Sequence, residues 1–253
     1  MRRALAAAAT LIALTACATQ DAAPPTAKPT GAVSVFAAAS LRPAFTALAA
    51  QFKTQYPGTN VTFNFAGSPT LVTQLEQGAT ADVLATADTA NMQNAKVAGV
   101  IDGTPQVFAH NLLEIAVAPG NPKGIHSLAD LARSDLTLVL AAPQVPAGRY
   151  AAQALSGAGV TAHPRSLETD VESVLTKVEL GEADAGIVYT TDVRAAQGKV
   201  SGIAIPAALN VVASYPIATL KDAPNRVAAD AFIRLVLSSA GGAVLKRYGF
   251  QPA

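Results

Sequence analysis

Short apolar runs alternate with amphipathic stretches along most of the chain. Strand-like segments rich in Val, Ile and Phe are separated by segments in which apolar residues recur every three or four positions, as in Leu41, Phe45, Leu48 and Phe52. This alternation is typical of a helix-flanked, parallel sheet. In chain order, it predicts strands at 33–37, 61–65, 82–85, 112–118, 136–140, 185–189 and 215–220, and helices at 40–56, 69–77, 89–98, 148–155, 171–180, 225–238 and 242–248.

The alternation of strands and helices occurs twice, which predicts two lobes rather than one. Lobe I is expected to comprise residues 31–110 and 214–253, and lobe II residues 111–213. A lobe that is interrupted by another lobe has two chain crossings, and therefore a hinge and a cleft. The order of elements also fits a single doubly wound domain, so the pattern alone leaves both architectures open.

The first thirty residues lack this pattern and have the features of an export signal. Two arginines precede an uncharged run rich in Ala and Leu at 4–16, which is shorter than the roughly 20 residues that span a bilayer. We therefore predict a signal peptide over residues 1–16. Leu-Thr-Ala-Cys, ending at Cys17, resembles a bacterial lipobox, so we expect acylation of Cys17 and a flexible tether over 17–30. The mature protein is then expected at the outer face of the cytoplasmic membrane.

Cysteine usage and charge exclude several kinds of site and partner. Cys17 is the only cysteine, so an internal disulfide and a cysteine-rich metal site are both impossible. Without the two arginines of the signal, the 18 Lys and Arg residues fall to 16, against 17 Asp and Glu. No basic surplus is left for a nucleic-acid partner. We expect a monomer that needs no cofactor.

Three predicted junctions between a strand and a helix are suited to holding an anion. Ser40 and Ser68 each precede a helix with a proline in its first turn, and Asp170 precedes the helix that starts at Val171. The start of a helix presents unpaired backbone N–H groups at the positive end of its dipole. Ordinary helix N-caps would use the same residue types. The junctions by themselves therefore leave an anion site and simple capping both open.

Short segments that run in order along nearly the whole chain after residue 33 form a specific combination, although no single motif is specific. The segments are VFAAASL at 35–41, FAGS at 65–68, GATADV at 78–83, AD at 87–88, GNP at 120–122, VPAG at 145–148, GIVY at 186–189 and KRYGF at 246–250. This series, from Val33 to Phe250, resembles the molybdate-binding proteins of ABC importers. The resemblance implies an α/β, type II periplasmic-binding-protein fold, in which each of two lobes is a mixed, mostly parallel sheet flanked by helices, with a cleft between them.

The resemblance also implies a function and a set of binding groups. The protein would capture molybdate, and tungstate, outside the cytoplasm and deliver it to an ABC permease, without being an enzyme. The oxyanion would be held by the hydroxyls of Ser40, Ser68 and Tyr189 and by the backbone amides of Ala147 and Val171. No protein group would ligate the metal directly. Neutral donors at helix ends can satisfy a buried dianion without a lysine or arginine.

Two positions depart from the pattern of that family. Pro69 stands where relatives often carry a second serine, and a proline has no N–H to donate. Arg149 follows the VPAG segment, where it would either bring a cation to the cleft or face the solvent. A lone arginine usually faces the solvent, so we expect that position for Arg149.

Two other functions remain open from the sequence. Sulfate or another tetrahedral oxyanion would use similar neutral donors, whereas a phosphate site generally needs an acceptor for the ligand's proton, for which Asp170 is the nearest candidate. A serine hydrolase would combine one of the two serines with His110, His126 or His163 as a base. Neither a Gly-x-Ser-x-Gly nor a His-Glu-x-x-His segment is present, which disfavours the enzyme.

Overall fold

The computed structural model describes residues 28–253 and contains two separate β-sheets. The predicted signal peptide, Cys17 and most of the tether lie outside the described residues. Two sheets rule out the single doubly wound domain. The strands are β1 (Gly31–Ala38), β2 (Thr59–Ala66), β3 (Val83–Ala85), β4 (Gln106–Asn111), β5 (Leu113–Val117), β6 (Leu138–Ala141), β7 (Ser166–Glu168), β8 (Ala185–Tyr189), β9 (Ser201–Ala204), β10 (Ala213–Thr219) and β11 (Gln251–Pro252).

Both sheets are mixed. The six-stranded sheet has the order β11-β4-β10-β3-β1-β2, with β1 parallel to β2 and β3 and the remaining pairs antiparallel. The five-stranded sheet has the order β7-β6-β8-β5-β9, with β6 parallel to β7 and β8 and with β5 antiparallel to β8 and β9. The antiparallel share is larger than predicted, because β4, β5, β9 and β10 lead into and out of the two crossings between the sheets.

Eight α-helices lie in the described part of the chain and divide between the sheets. We call the six-stranded sheet with α1, α2, α3, α7 and α8 the first lobe, and the five-stranded sheet with α4, α5 and α6 the second lobe. The helices are α1 (Arg42–Gln55), α2 (Ser68–Glu76), α3 (Thr89–Val97), α4 (Pro146–Gly157), α5 (Val171–Glu179), α6 (Thr190–Ala195), α7 (Arg226–Leu237) and α8 (Ser239–Arg247).

The apolar spacing that predicts α1 corresponds to its buried face. Phe45, Leu48 and Phe52 are fully buried, and α1 packs against α7 and α8. The ring of Phe232 in α7 meets Phe45 and Phe52 edge-on, with centroids 5.9 and 5.5 Å away. Such aromatic pairs stabilise a core beyond their buried area. The C-terminal helices therefore pack back on the first lobe, where β11 also pairs with β4.

Every predicted strand and helix is present within a few residues of its expected bounds, but four strands and one α-helix have no sequence prediction. These are β4, β7, α6, β9 and β11. β9 consists of Ser-Gly-Ile-Ala and β4 of Gln-Val-Phe-Ala-His-Asn, so neither has a sustained apolar run. Their extended form depends on pairing with strands that are distant in sequence, which residue patterns do not encode.

Among residues 28–253, no single helix is long and apolar enough to cross a membrane. Only the pair α7 and α8, taken together and bent by 65°, reaches the required length and composition.

The start of α4 lies unusually close to the end of β6. A Cβ atom at Gly148 would overlap with the carbonyl oxygens of Ala141 and Ala142. Only glycine therefore allows the first turn of α4 to reach the end of this sheet. Gly157, at the other end of α4, has no such neighbour, since a Cβ there would lie 4.0 Å from Leu209.

We predict that Gly148→Ala lowers the free energy of unfolding by about 1–3 kcal/mol, because the added methyl forces α4 away from β6. Gly157→Ala, in the same helix, should be neutral or stabilising by up to about 1 kcal/mol, since alanine is the better helix former. Urea denaturation of both variants measures the difference. Equal stability of the two variants would show that the close approach is not needed.

Candidate functional site

A small cavity, lined mostly by buried residues, lies where the two lobes meet. It is lined by residues at the ends of β1, β2 and β8 and at the starts of α2, α4 and α5. The carboxyl ends of strands in open α/β sheets are the usual place for ligands. All five residues predicted to bind a ligand are buried at this cavity: Ser40, Ser68, Ala147, Val171 and Tyr189.

The two serines do not cap their helices. Ser40 lies in a 3₁₀ turn (Ala39–Leu41) before α1, and the N-cap of α2 is Gly67, not Ser68. Neither N-cap of α1 or α2 makes a side-chain capping bond. The capping interpretation is therefore excluded for both serines, and their hydroxyls remain at the cavity.

A buried chain of hydrogen bonds orients the hydroxyl of Ser40. Its oxygen lies 3.0 Å from the hydroxyl of Tyr215, which lies 3.4 Å from the side-chain amide nitrogen of Asn111. Burial raises the pKa of Tyr215 far above its ordinary value, so the phenol stays protonated. Because the Asn111 amide donates to Tyr215, the phenol is fixed beside Ser40. This contact holds the Ser40 hydroxyl at the wall of the cavity.

Ser68 is oriented by a backbone group of the loop that follows β3. The amide of Ala87 donates to the Ser68 hydroxyl oxygen at 3.1 Å. Since that oxygen already accepts a hydrogen bond, its own proton remains available to a ligand. Ala87 itself lines the cavity.

Two backbone amides come from the second lobe. Ala147 is the second residue of α4 and Val171 the first of α5, positions where an N–H has no partner within its own helix. Asp170 caps α5, as predicted, by accepting from the amide of Ser173 at 2.8 Å. The cap therefore uses a later amide and leaves that of Val171 at the cavity, near the positive end of the helix dipole.

Tyr189 supplies the third hydroxyl. It ends β8, its side chain is only 1% exposed, and within residues 28–253 its hydroxyl has no hydrogen-bond partner. Burial raises the pKa of Tyr189 well above its ordinary value, so the hydroxyl is a donor. A buried donor without an acceptor costs about 1–3 kcal/mol. This unmet donor indicates that the cavity is built for a ligand that accepts hydrogen bonds.

The lobes touch at the rim of the cavity. A Cβ atom at Gly67 would overlap with the carbonyl oxygen of Thr169 in the opposite lobe, so glycine allows this contact. The prediction that Arg149 faces the solvent is wrong. Its side chain is 32% exposed and pairs with the buried carboxylate of Asp88 in the first lobe. An unpaired buried carboxylate is costly, which explains why the arginine turns inward.

The groups needed for a hydrolase or a metal centre are not assembled at the cavity. None of the three histidines lines it: His110 lies 3.1 Å from the hydroxyl of Ser214, and the other two are exposed. In the part of the chain that the structure describes, no group of three His, Cys, Asp or Glu residues is placed to hold a metal ion. Pro69, the other departure from the family pattern, is not a lining residue.

Sequence reasoning missed the residues that orient the binding groups. Tyr215, Asn111 and the amide of Ala87 lie behind the predicted serines. Tyr215 is in a predicted strand, but it gave no signal for the site because its partner Ser40 is 175 residues away. Only the fold brings these two together.

The comparisons with known proteins agree with the geometry. Residues 33–251 match the model of the bacterial extracellular solute-binding protein family. The chain belongs to this family. It is 46% identical to the molybdate-binding protein ModA of Mycobacterium tuberculosis H37Rv, over 94% of this chain and 92% of the relative.

Two solved structures have the same fold as this solute-binding protein. The periplasmic molybdate-binding protein of Azotobacter vinelandii aligns with a TM-score of 0.74 at 21% identity, covering 87% of this chain and 99% of that one. The sulfate-binding protein SubI of Mycobacterium tuberculosis H37Rv aligns with a TM-score of 0.79 at 18% identity, covering 88% and 87%. The predictions of a two-lobed periplasmic-binding-protein fold and of a solute-binding protein rather than an enzyme are confirmed.

A buried carboxylate lies directly behind Tyr189. Asp192, in the first turn of α6, accepts a hydrogen bond from the backbone amide of Tyr189 at 2.9 Å. Burial raises the pKa of Asp192 to about 7 from an ordinary value of 3.8, despite that hydrogen bond. The folded protein therefore retains a proton on Asp192 in a pH range where the unfolded chain has lost it.

We predict that this carboxyl makes the protein less stable as pH rises from about 4 to about 7, because the folded state must bury a charge or hold a proton that the unfolded state releases. Asp192→Asn keeps an acceptor for Tyr189 and removes the titration. Melting temperatures across this range should fall less for the variant than for the parent. Asp135→Asn, at an exposed ion pair with Arg133, is the control and should not flatten the profile. Parallel profiles for Asp192→Asn and the parent would contradict the prediction.

Proposed function

We propose that this protein binds molybdate, and tungstate, outside the cytoplasm and delivers the ion to an ABC import permease. The observation that carries the proposal is the unpartnered Tyr189 hydroxyl, which shares one small cavity with two serine hydroxyls and two amides at helix starts. All five predicted groups are donors, and a fully deprotonated tetrahedral oxyanion offers only acceptors. The extensive identity to a molybdate-binding protein supports the same ligand.

Helix dipoles and neutral donors supply the attraction for the anion. The lining contains no lysine and no arginine. Hydrogen bonds to a charged group contribute roughly 1.5–3 kcal/mol each, so five of them support a sub-micromolar site after the cost of ordering the ligand. Donors that are held in place before binding also lower that cost.

Phosphate fits the cavity less well than a fully deprotonated oxyanion. The only lining carboxylate is Asp170, and its two oxygens are directed to the start of α5, where they accept from the amide and the hydroxyl of Ser173. No other lining side chain is an anionic acceptor for the proton of a hydrogen phosphate. Sulfate, by contrast, offers the same acceptors as molybdate and is the second candidate, supported by the fold shared with a sulfate-binding protein.

We predict that molybdate and tungstate raise the melting temperature of the purified protein, whereas phosphate does not. A ligand that binds only the folded state stabilises it by about 2.7 kcal/mol at a hundredfold excess over its dissociation constant. Calorimetric titration with molybdate, tungstate, sulfate and phosphate ranks the four ions. No response to molybdate or tungstate at millimolar concentration would overturn the proposed ligand, and tighter binding of sulfate would replace it.

We predict that Ser40→Ala, Ser68→Ala and Tyr189→Phe each weaken molybdate binding by roughly 1–3 kcal/mol, because each leaves an oxygen of the buried ion without a donor. His110→Ala is the control, since its side chain lies outside the cavity, and it should bind as the parent does. Titration calorimetry gives the affinities. If both serine variants bind molybdate as tightly as the parent, the ion occupies another place.

We further propose that the protein is exported, is anchored by acylated Cys17 and functions as a monomer. The sequence at residues 1–30 supports this anchor and tether. Lobe I would comprise residues 31–110 and 214–253, and lobe II residues 111–213. The membership of the strands in two sheets supports these boundaries to within one residue, since the chain crosses between β4, which ends at Asn111, and β5, and again between β9 and β10, which begins at Ala213.

We predict that Cys17→Ala prevents acylation and releases the protein from membranes, because no thiol remains to take the lipid. Incorporation of labelled palmitate and partition into detergent measure the effect in the expressing bacterium. Affinity for molybdate should be unchanged, since Cys17 precedes the folded lobes. A variant that still enters the detergent phase would exclude this anchor.

A further inference from the structure

We propose that two arginines, one from each lobe, form a latch that holds the cavity closed and sets the rate at which the ligand leaves. Arg42 of the first lobe pairs with Glu172 of the second, and Arg149 of the second lobe pairs with Asp88 of the first. The effect on ligand release rests on the proposed oxyanion function. The effect on lobe closure does not.

The first pair has the geometry of a specific clamp. Nε of Arg42 donates to Glu172 at 2.8 Å and Nη2 donates at 2.9 Å, which makes the contact bidentate. The guanidinium carbon also lies 4.6 Å from the centre of the Phe65 ring, within the first lobe. This stacking fixes the arginine before the lobes meet, so less side-chain freedom is lost on closure.

The second pair adjoins the wall of the cavity on both sides. Asp88 is 1% exposed, and it caps α3 by accepting from the amide of Asn91 at 2.8 Å. It directly follows Ala87, whose amide orients Ser68. Arg149 comes two residues after Ala147 in α4. The segments around Asp88 and Arg149 therefore come together both when the cavity closes and when this ion pair forms.

Both latch arginines lie near the N-termini of their helices, where a positive charge destabilises the helix. Arg42 is the first residue of α1, and Arg149 lies in the first turns of α4. A cation is unfavourable near the N-terminus of a helix, because it meets the positive end of the dipole. A carboxylate from the other lobe offsets that cost, and it does so only when the lobes are together.

These two ion pairs differ from the others in that they join the two lobes. Within the described residues, each of the other five ion pairs joins groups of a single lobe, and such pairs are unaffected by closure. An interaction present only in the closed form shifts the equilibrium toward that form. The latch therefore slows release without placing a fixed cation inside the cavity.

The variants Arg42→Gln, Arg149→Gln and Asp88→Asn test the latch. Asparagine is also a good N-cap, so Asp88→Asn removes the charge while keeping the start of α3. Stopped-flow release of molybdate should be roughly tenfold faster for Arg149→Gln and roughly threefold faster for Arg42→Gln, since the buried pair contributes more than the exposed one. Association should change by less than about twofold.

Two double variants test whether the residues of each ion pair act through each other. Asp88→Asn combined with Arg149→Gln should release molybdate no faster than Arg149→Gln alone, because both changes remove one interaction. Exchanging the first pair, as Arg42→Glu with Glu172→Arg, should restore slow release relative to Arg42→Glu alone. Arg133→Gln, which breaks an ion pair within the second lobe, is the matched control and should release at the parental rate.

Small-angle scattering of the ligand-free protein separates this proposal from the proposed function. The Arg42 and Arg149 variants should have a larger radius of gyration than the parent and than Arg133→Gln, whether or not molybdate binds. If the parent binds no molybdate but the variants still have a larger radius of gyration, the proposed ligand is wrong and the latch is supported. Parental release rates and parental dimensions in the variants would overturn the latch. Slower association of molybdate with an unchanged release rate would also overturn the latch, because the arginines would then act by attracting the ion electrostatically.

Discussion

The arrangement of both lobes depends on one constraint: buried hydrogen-bond donors that face the cavity must find an acceptor there. The hydroxyl of Tyr189 is buried without a partner among the described residues, and the hydroxyl proton of Ser68 is left free by the amide that donates to its oxygen. A cavity of this kind is poorly satisfied when empty and well satisfied by an anion. Acceptors placed in this cavity would therefore favour the arrangement in which both lobes line it.

The fold meets this constraint by bringing helix starts from both lobes to one point. The first turns of α2, α4 and α5 surround the cavity, and each presents amides that have no partner in their own helix. Gly67 and Gly148 make the approach possible, since a methyl at either position would overlap with a backbone carbonyl. Small residues here serve backbone packing, and the polar groups come from the residues beside them.

Positive charge is kept out of the cavity and placed at its rim. Neutral donors and the capping carboxylate of Asp170 line the site, while Arg42 and Arg149 are paired with carboxylates of the opposite lobe. Asp192 lies behind Tyr189 with a pKa raised to about 7 by burial. A cation inside the cavity would bind anions of many shapes, whereas fixed donors select by geometry. The rim charges contribute to closure instead.

The sequence by itself determined most of the helices and strands and indicated five of the residues that line the cavity. Apolar spacing placed α1, Asp170 marked the start of α5, and the segments around Ser40 and Tyr189 indicated the donors. These signals are local, because periodicity and capping depend on residues within about four positions of one another. Only the tertiary structure decided that the serines do not cap, that Tyr215 orients Ser40 from 175 residues away, and that Arg149 pairs across the cleft. Each of these depends on how the two chain crossings bring the lobes together, which no local pattern encodes.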